Sequence, residues 1–512
     1  MKIKYFWALL ILTLYVCALN FLLFSCVIKG LENTENPVLL GTIIFICVFG
    51  ILFASVLLFV PPRIFKLTAS LFIIICALSS YFMHSYGVFL DTDMMANALA
   101  TDTKEAFSYV NLRFLLWIFL LAILPLCLVW MLKIQYSKGF FATLWRNFAI
   151  AFCLLVIVSA LVYANSQSVV PFFRDNSDAK KLHLPFYPLA SLLRIGVDKL
   201  DGDEPFTDIS AGFTKAELTP EQKPRFLIFV LGETARAGNY SALGYSINDT
   251  NAYTKPFVAS GNAQYFAMTS CGTSTLLSVP CMFSHLSREN YDAKVRAQNA
   301  IDILTISGVP SFWLGNNSGG CKGVCLFTKN EHFSKTFDGE ILPMLKEQIA
   351  NTKGENVLFF HIQGSHGPTY YQRYPDEFKR FLPTCDTSDL AKCDEQSIVN
   401  TYDNTILYTD FLISELIKEL EKRTDIEGSL MYLSDHGESL GENGIYLHGL
   451  PYAIAPQVQK TVPFLFYSTN KEKVAKIKQN TEFSQDFIFH TLIGFFGITG
   501  GIYDKNLDIF QR

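Results

Sequence analysis

Phe226-Leu-Ile-Phe-Val-Leu-Gly232-Glu233-Thr-Ala-Arg236 is an apolar run, rich in β-branched and aromatic residues, that stops abruptly at a glycine and a carboxylate. Its composition predicts a buried strand that delivers Glu233 to its carboxyl end. In α/β sheets, ligands and metals collect at the carboxyl ends of strands, so Glu233 is a candidate metal ligand. A second run, Leu430-Met-Tyr-Leu-Ser-Asp435-His436-Gly437-Glu438, ends in the same way. Carboxylate plus imidazole suits zinc, and with Glu233 these residues supply three ligands, leaving open the fourth position that a catalytic site keeps.

Working outward, strand-like runs at 309–314, 357–362 and 462–467 alternate with helical patterns at 297–307, 341–351 and 402–422. The alternation predicts a mainly parallel sheet covered by helices on both faces. His366 follows one of these strands in Gly364-Ser-His366-Gly-Pro368, and His448 stands in Leu447-His448-Gly-Leu-Pro-Tyr452. Neighbouring glycines allow close approach of backbone to ligand, so both histidines are candidates for a second metal or for contacts to phosphate oxygens. His361, inside its strand pattern, reads as a core histidine. A nucleophile is expected in Thr269-Ser-Cys271-Gly-Thr273-Ser-Thr275-Leu-Leu-Ser-Val-Pro-Cys281, where a hydroxyl at a helix amino terminus would face unpaired N–H groups. Composition leaves Ser270, Thr273, Ser274 and Thr275 all open.

The chain has 512 residues, half of them hydrophobic, and the apolar surplus lies in its first third. Apolar segments at 7–28, 38–60, 67–85, 114–132 and 147–163 each approach the ~20 residues a bilayer requires. The first is too long, and followed by too many others, to be a cleaved signal peptide. Lys2, Lys4, Arg63, Lys66, Lys133, Lys138 and Arg146 fall on one side of these spans, and Lys29, Lys104 and Arg113 on the other. That bias predicts an internal amino terminus, and five spans then place the remainder outside. Cysteine usage agrees. Cys271/Cys281, Cys321/Cys325 and Cys385/Cys393 are close pairs outside the spans, as expected of three local disulfides in an oxidising compartment. None has the Cys-x2-Cys spacing of a closed structural zinc site.

Between the third and fourth spans, Asn97, Thr101 and Glu105 stand at i, i+4 and i+8 of a helix-forming stretch. One helical face would then carry an amide, a hydroxyl and a carboxylate, suited to a lipid head group with a cationic amine. Residues 171–200 interleave aromatic and aliphatic side chains with Arg and Lys, the pattern of an interfacial segment. An acidic, proline-punctuated linker follows at 201–224. The expected organisation is a five-span domain over 1–165 with an external helical loop at 87–113, an interfacial helix and linker over 166–224, and a catalytic domain over 225–512.

Taken together, Gly232-Glu-Thr-Ala-Arg236, the 269–275 turn with Ser278-Val-Pro-Cys-Met-Phe283, Asn316-Asn-Ser, Gly364-Ser-His-Gly-Pro368, Ser434-Asp-His-Gly-Glu-Ser439 and His448-Gly-Leu-Pro-Tyr-Ala-Ile-Ala-Pro456 resemble the phosphoethanolamine transferases. These modify lipid A and include the mobilised colistin-resistance enzymes. The resemblance covers nearly the whole chain, spans and loop included. It implies an alkaline-phosphatase-like and sulfatase-like fold, with zinc held by Glu233, Thr273, Asp435 and His436 and with Thr273 as nucleophile. It also implies that His366 and His448 form a second site or contact phosphate, and that Lys322 contacts the bound phosphoryl group. Asn97, Thr101 and Glu105 would hold the donor head group.

The reaction so implied is double displacement: phosphatidylethanolamine loses diacylglycerol, and a threonine-bound phosphoethanolamine passes to lipid A or another surface acceptor. One zinc is expected, with room for more, in a monomeric protein of the bacterial inner membrane that has no nucleic-acid partner. Two relatives in chemistry fit less well. A sulfatase needs a Cys/Ser-x-Pro-x-Arg context that Cys271-Gly-Thr-Ser-Thr275 lacks, and a glycerol-phosphate transferase would bring no cation for Glu105.

Overall fold

A computed structural model describes residues 2–510, apart from 33, 35, 102, 137–138, 202–204 and 318–319. Lys138, Ser318, part of the acidic linker and the side chain of Lys104 therefore lie outside the described residues. The chain divides into two compact units, Met1–Ala96 with Val110–Asp198, and Asn97–Tyr109 with Lys199–Arg512.

In the first unit, Pro37–Phe59, Pro62–Tyr86, Leu112–Met131 and Phe140–Ala164 are long and apolar enough to cross a membrane. The first expected span is instead a bent pair, Tyr5–Leu19 and Phe21–Leu31, inclined by 57°. Asn20 sits at the break. Its Nδ2 donates to the Val16 carbonyl at 2.8 Å and to the Leu184 carbonyl at 3.0 Å, while its Oδ1 accepts from Leu184 N at 2.8 Å. A buried amide in an apolar surrounding persists only when satisfied in this way, and here it ties the kink to a distant segment. In the Leu112–Met131 helix, Phe119–Ile123 widens to a π turn just before Pro125, which has no N–H to give to the turn behind it.

The 87–113 loop departs from expectation. It forms two short helices, Thr92–Ala100 and Thr103–Ser108, rather than one face running from residue 97 to 105. Asp91 Oδ1 accepts from Met94 N at 2.9 Å at the start of the first, and the Thr101 hydroxyl closes its end on the Asn97 carbonyl at 2.9 Å. Glu105 therefore belongs to a separate helix, and the continuous stripe of Asn97, Thr101 and Glu105 does not form. The cause is local: a hydroxyl that bonds back to the preceding turn competes with helix continuation.

The second unit is built on an eight-stranded sheet. Its strands are β1 (Arg225–Gly232), β2 (Ala263–Thr269), β3 (Ser311–Gly315), β4 (Lys329–His332), β5 (Asn356–His361), β6 (Glu427–Ser434), β7 (Thr461–Ser468) and β8 (Phe483–Ser484), in spatial order β8-β2-β7-β6-β1-β5-β3-β4. β1 lies between β5 and β6 and pairs parallel with both. Parallel pairing dominates, but β7 runs antiparallel to β6 and to β2. The helices α1 (Thr275–Phe283), α2 (Ala300–Ile306), α3 (Leu342–Asn351), α4 (Glu395–Glu421) and α5 (Phe487–Phe495) cover the faces. Along β1 the two-residue period sorts the side chains: Phe226, Ile228 and Val230 pack with α3 and α4, whereas Leu227, Phe229 and Leu231 pack with α1, α2 and α5. This is why the strand reads as apolar throughout.

Two of the expected disulfides form, Cys271–Cys281 and Cys385–Cys393. Cys321 and Cys325 are free thiols. A tight turn separates them, with Lys322 and Gly323 at φ 51° and 85° and Val324 N donating to the Cys321 carbonyl at 3.0 Å. The turn sets the sulfurs as hydrogen-bond partners, and donation from Cys325 lowers the Cys321 thiol to about 7.

α4 also carries a buried carboxylate that fastens the loop before β2. Asp410 accepts from Tyr253 N at 2.7 Å, Thr254 N at 3.0 Å, Asn251 Nδ2 at 3.3 Å, the Tyr265 hydroxyl at 3.2 Å and the Thr254 hydroxyl. Replacing it leaves several buried donors unsatisfied. Asp410→Ala is expected to cost about 3 kcal/mol of stability, read as a lowered midpoint in chemical denaturation of the purified protein. A midpoint unchanged from wild type would show that the loop holds without it.

Candidate functional site

Glu233 follows β1 at the carboxyl edge of the sheet and is fully buried. The chain must turn sharply there. Gly364, at φ +50°, lies against the Glu233 backbone so closely that a Cβ would meet the Glu233 carbonyl oxygen at 2.9 Å. Around the carboxylate, Oε1 accepts from the Thr234 hydroxyl at 2.6 Å, and Oε2 from Asn317 Nδ2 at 2.6 Å. Asp435 and His436 are the first two residues past the end of the neighbouring β6. Asp435 Oδ1 accepts from Thr234 N at 3.0 Å and His436 N at 2.7 Å. His436 Nδ1 pairs with the Gly437 carbonyl at 2.9 Å, leaving Nε2 to face Glu233 Oε1 at 3.5 Å and Asp435 Oδ2 at 3.3 Å. Gly437 is required here, because a Cβ would lie 2.0 Å from the Val458 carbonyl oxygen.

These groups have the character of a metal centre. One ligand atom from each of Glu233, Asp435 and His436 lies within 4.8 Å of the others, and all three residues are buried. Asp435 Oδ2 has no hydrogen-bond partner among the described residues. Burial and the Glu233 charge push Asp435 up to about 7. Burial also opposes the Glu233 anion, yet the imidazoles of His361, His366 and His436 hold it well below the ordinary carboxylate range. A backbone carbonyl fixing one ring nitrogen of a histidine is the usual support of a metal ligand. The donor set fits a divalent cation.

The hydroxyl at this cluster is Thr275, not Thr273. Thr275 Oγ1 lies 3.0 and 3.1 Å from the two Glu233 oxygens and 3.3 Å from His436 Nε2. Thr273 is committed elsewhere: its hydroxyl donates to the Leu450 carbonyl at 2.6 Å, and its own carbonyl accepts from Gly449 N at 2.8 Å. It thus pins the loop that carries His448. Thr275 opens α1, so the helix start determines which hydroxyl turns inward.

His366 and His448 both reach the site, their rings 5.5 Å apart. His366 Nδ1 is 3.3 Å from Glu233 Oε1 and its Nε2 is 3.0 Å from Glu105 Oε1. Burial disfavours the imidazolium, but Glu105 and Glu233 outweigh it and raise His366 to about 10. His448 Nδ1 pairs with the buried Glu438 at 3.0 Å, and Tyr370 donates to the same carboxylate at 3.0 Å. Burial pushes Glu438 up to about 8 and His448 well below its usual value.

Of the expected head-group residues, Glu105 alone touches this cluster among the described residues, because the break after Ala100 redirects it. Lys322 lines a different groove, with Leu276 and Pro280 of α1, although its charge is felt at His361. Three participants were not singled out from sequence. Asn317 fixes Glu233, and Arg373 holds the His366 carbonyl at 2.8 Å. His361, read as a core residue, is fully buried, but its Nε2 stands 3.7 Å from Glu233 Oε2. Its period-2 position past the apolar run was the available signal. Glu105, Asn317, His366 and Arg373 line a small cleft of about 90 Å³.

Residues 225–498 match the sulfatase family model, and residues 47–200 match that of phosphoethanolamine transferase EptA/EptB. The chain is similar to phosphoethanolamine transferase EptA of Escherichia coli K12, 36% identical over 86% of this chain and 84% of the relative. It belongs to the phosphoethanolamine transferase family. Phosphatidylethanolamine transferase Mcr-1 of Escherichia coli is 32% identical over 94% of this chain and 92% of its own. The integral membrane lipooligosaccharide phosphoethanolamine transferase A of Neisseria meningitidis superposes with a TM-score of 0.92 at 30% identity, covering 99% of this chain and 98% of the other.

Because Asn317 orients Glu233 by a 2.6 Å bond, Asn317→Ala is expected to weaken divalent-metal binding about 10–100-fold, measured by chelator competition. Unchanged affinity would show that Glu233 takes no part in holding a metal.

Proposed function

We propose that this transferase moves phosphoethanolamine from phosphatidylethanolamine to lipid A through a covalent intermediate on Thr275. The observation that carries this reading is the Thr275 hydroxyl within 3.0–3.3 Å of Glu233 and His436. Glu233, Asp435, His436 and Thr275 would hold zinc. Bound there, it would supply a Lewis acid that lowers the hydroxyl pKa and neutralises phosphoryl charge.

The chain's own groups do the rest. Thr275 Oγ attacks phosphorus as the bond to the glycerol oxygen breaks, and that oxygen takes a proton and leaves as diacylglycerol. The ammonium of the donor pairs with Glu105, which frees His366 Nε2–H for a phosphoryl oxygen. A phosphatidylglycerol donor would offer no such cation. In the second step an acceptor oxygen attacks the same phosphorus, the bond to Thr275 breaks, and the threonine recovers its proton. His448, oriented by Glu438 through Nδ1, has Nε2 available to take the proton that the acceptor brings.

A bacterial inner-membrane setting, with the amino terminus in the cytoplasm and the catalytic unit in the periplasm, is supported by the Lys/Arg bias and by the two disulfides. The donor is supported by the name of Mcr-1 and the acceptor class by that of the meningococcal transferase.

Incubation with phosphatidylethanolamine alone is expected to add phosphoethanolamine to Thr275, localised by fragmentation mass spectrometry. Thr275→Ala should lose at least about 10³-fold in diacylglycerol release, as for other covalent nucleophiles, whereas Thr273→Ser keeps most of it. Label on Thr273 with Thr275 bare would overturn the assignment.

A further inference from the structure

Resting on the transfer reading above, we propose that Gln485 is a positioning residue for phosphoryl transfer, clamping the turn that presents Thr275 to the turn that presents Asp435 and His436.

The topology creates the need for such a clamp. Thr275 opens the helix after β2, Asp435 follows β6, and β7 stands between these two strands. The ladder that joins them through β7 runs out at Thr269, the partner of Thr461, and at Leu433, the partner of Phe464. Beyond these points the spacing of the threonine from Asp435 and His436 depends on contacts between loops. A hydroxyl that must attack phosphorus in line tolerates little error in that spacing.

Gln485 meets the requirement from outside both turns. It follows β8 and is 1% exposed, and its own N–H donates to the Thr269 carbonyl at 2.9 Å. Its Nε2 donates to the carbonyls of Ser434 and Asp435, each at 2.8 Å, and its Oε1 accepts from Cys271 N at 2.6 Å. Ser278 Oγ stands 2.8 Å from Gln485 Oε1 and 2.6 Å from the Asp435 carbonyl oxygen, so its single proton serves one or the other. One amide thus joins the end of β6 to residues on both sides of Thr275. The Cys271–Cys281 disulfide closes the same frame. The amide has one orientation, because turning it over would set its oxygen against two carbonyls and its NH2 against an N–H.

Asp435 and His436 are oriented by other bonds. Asp435 Oδ1 accepts from Thr234 N and His436 N, and His436 Nδ1 pairs with the Gly437 carbonyl. Losing Gln485 therefore leaves these side chains directed and frees the start of α1 to shift against them. The signature is lost turnover with retained substrate and metal binding, which a general loss of stability would not produce.

The test uses the full-length, detergent-solubilised protein with zinc added, and follows diacylglycerol release from phosphatidylethanolamine with a fluorescent acyl chain over a range of donor concentrations. Gln485→Met keeps the length of the side chain and removes its polar contacts. It should lower the maximal rate about 30- to 100-fold while leaving the half-saturating donor concentration within about twofold, and the zinc affinity from chelator competition within about threefold, of wild type. Ser278→Ala should lower the maximal rate about 3- to 10-fold, the scale of one hydrogen bond. Added to Gln485→Met, it should cost less than about a further twofold, because the two residues act as one network. A wild-type rate in folded Gln485→Met would overturn the assignment. So would a loss of zinc affinity or of donor affinity that accounts for the fall in rate, or independent losses that multiply in the double variant. Should Gln485→Met fail to fold, Ser278→Ala decides: a fall confined to the maximal rate supports the clamp, and a wild-type rate overturns it. Wild-type protein that releases no diacylglycerol, or that carries the label on a residue other than Thr275, would instead overturn the covalent-transfer reading on which the clamp rests.

Discussion

A carboxylate buried at the end of a strand is the constraint on which the catalytic unit depends. Glu233 is fully enclosed, where an isolated anion would be strongly unfavourable. The fold meets that cost with directed groups: an amide from Asn317, a hydroxyl from Thr234, a second from Thr275, and the imidazoles of His361, His366 and His436. Each comes from the carboxyl edge of a parallel strand or from the turn beyond it. The parallel neighbours of β1 are therefore a chemical requirement as well as a packing one, since antiparallel neighbours would send their ends to the opposite edge. β7, which does run antiparallel, arrives at this edge with its beginning, and the turn before it supplies the Val458 carbonyl that crowds Gly437.

The helical unit solves the same problem in another solvent. Where hydrocarbon is the expected surrounding, the polar groups of the backbone and of Asn20 are satisfied internally, and irregularity appears only where a specific group pays for it. Asn20 bends the first helix pair because its amide finds two carbonyls and an N–H. Pro125 forces a π turn because it withholds a donor. Sequence hydropathy registers spanning length but not these local exceptions.

Charge pairing organises the site. Against the cost of burial, Glu105 at 3.0 Å and Glu233 at 3.3 Å raise His366 to about 10, so its imidazole is held as a cation between two carboxylates that come from segments remote in sequence.

The sequence by itself determined the strand ends. Glu233 and the Asp435–His436 pair were legible because an apolar run that stops at glycine and carboxylate is a short-range pattern, written within eight or nine consecutive residues. The spans, the alternation of strands and helices, and two of three cysteine bridges were legible for the same reason. Only the tertiary structure shows that Thr275 rather than Thr273 faces Glu233 and His436, because both sit in one hydroxyl-rich turn and their directions depend on the Leu450 carbonyl, far along the chain, capturing one of them. It likewise decided that Glu105 leaves the stripe with Asn97 and Thr101 to meet His366, that Cys321 and Cys325 remain thiols in a turn, and that His361 borders the cluster of Glu233, Asp435 and His436. Local periodicity fixes which residues are buried together, but the direction of a side chain at a helix start or after a break is set by partners remote in sequence, and no local pattern encodes them.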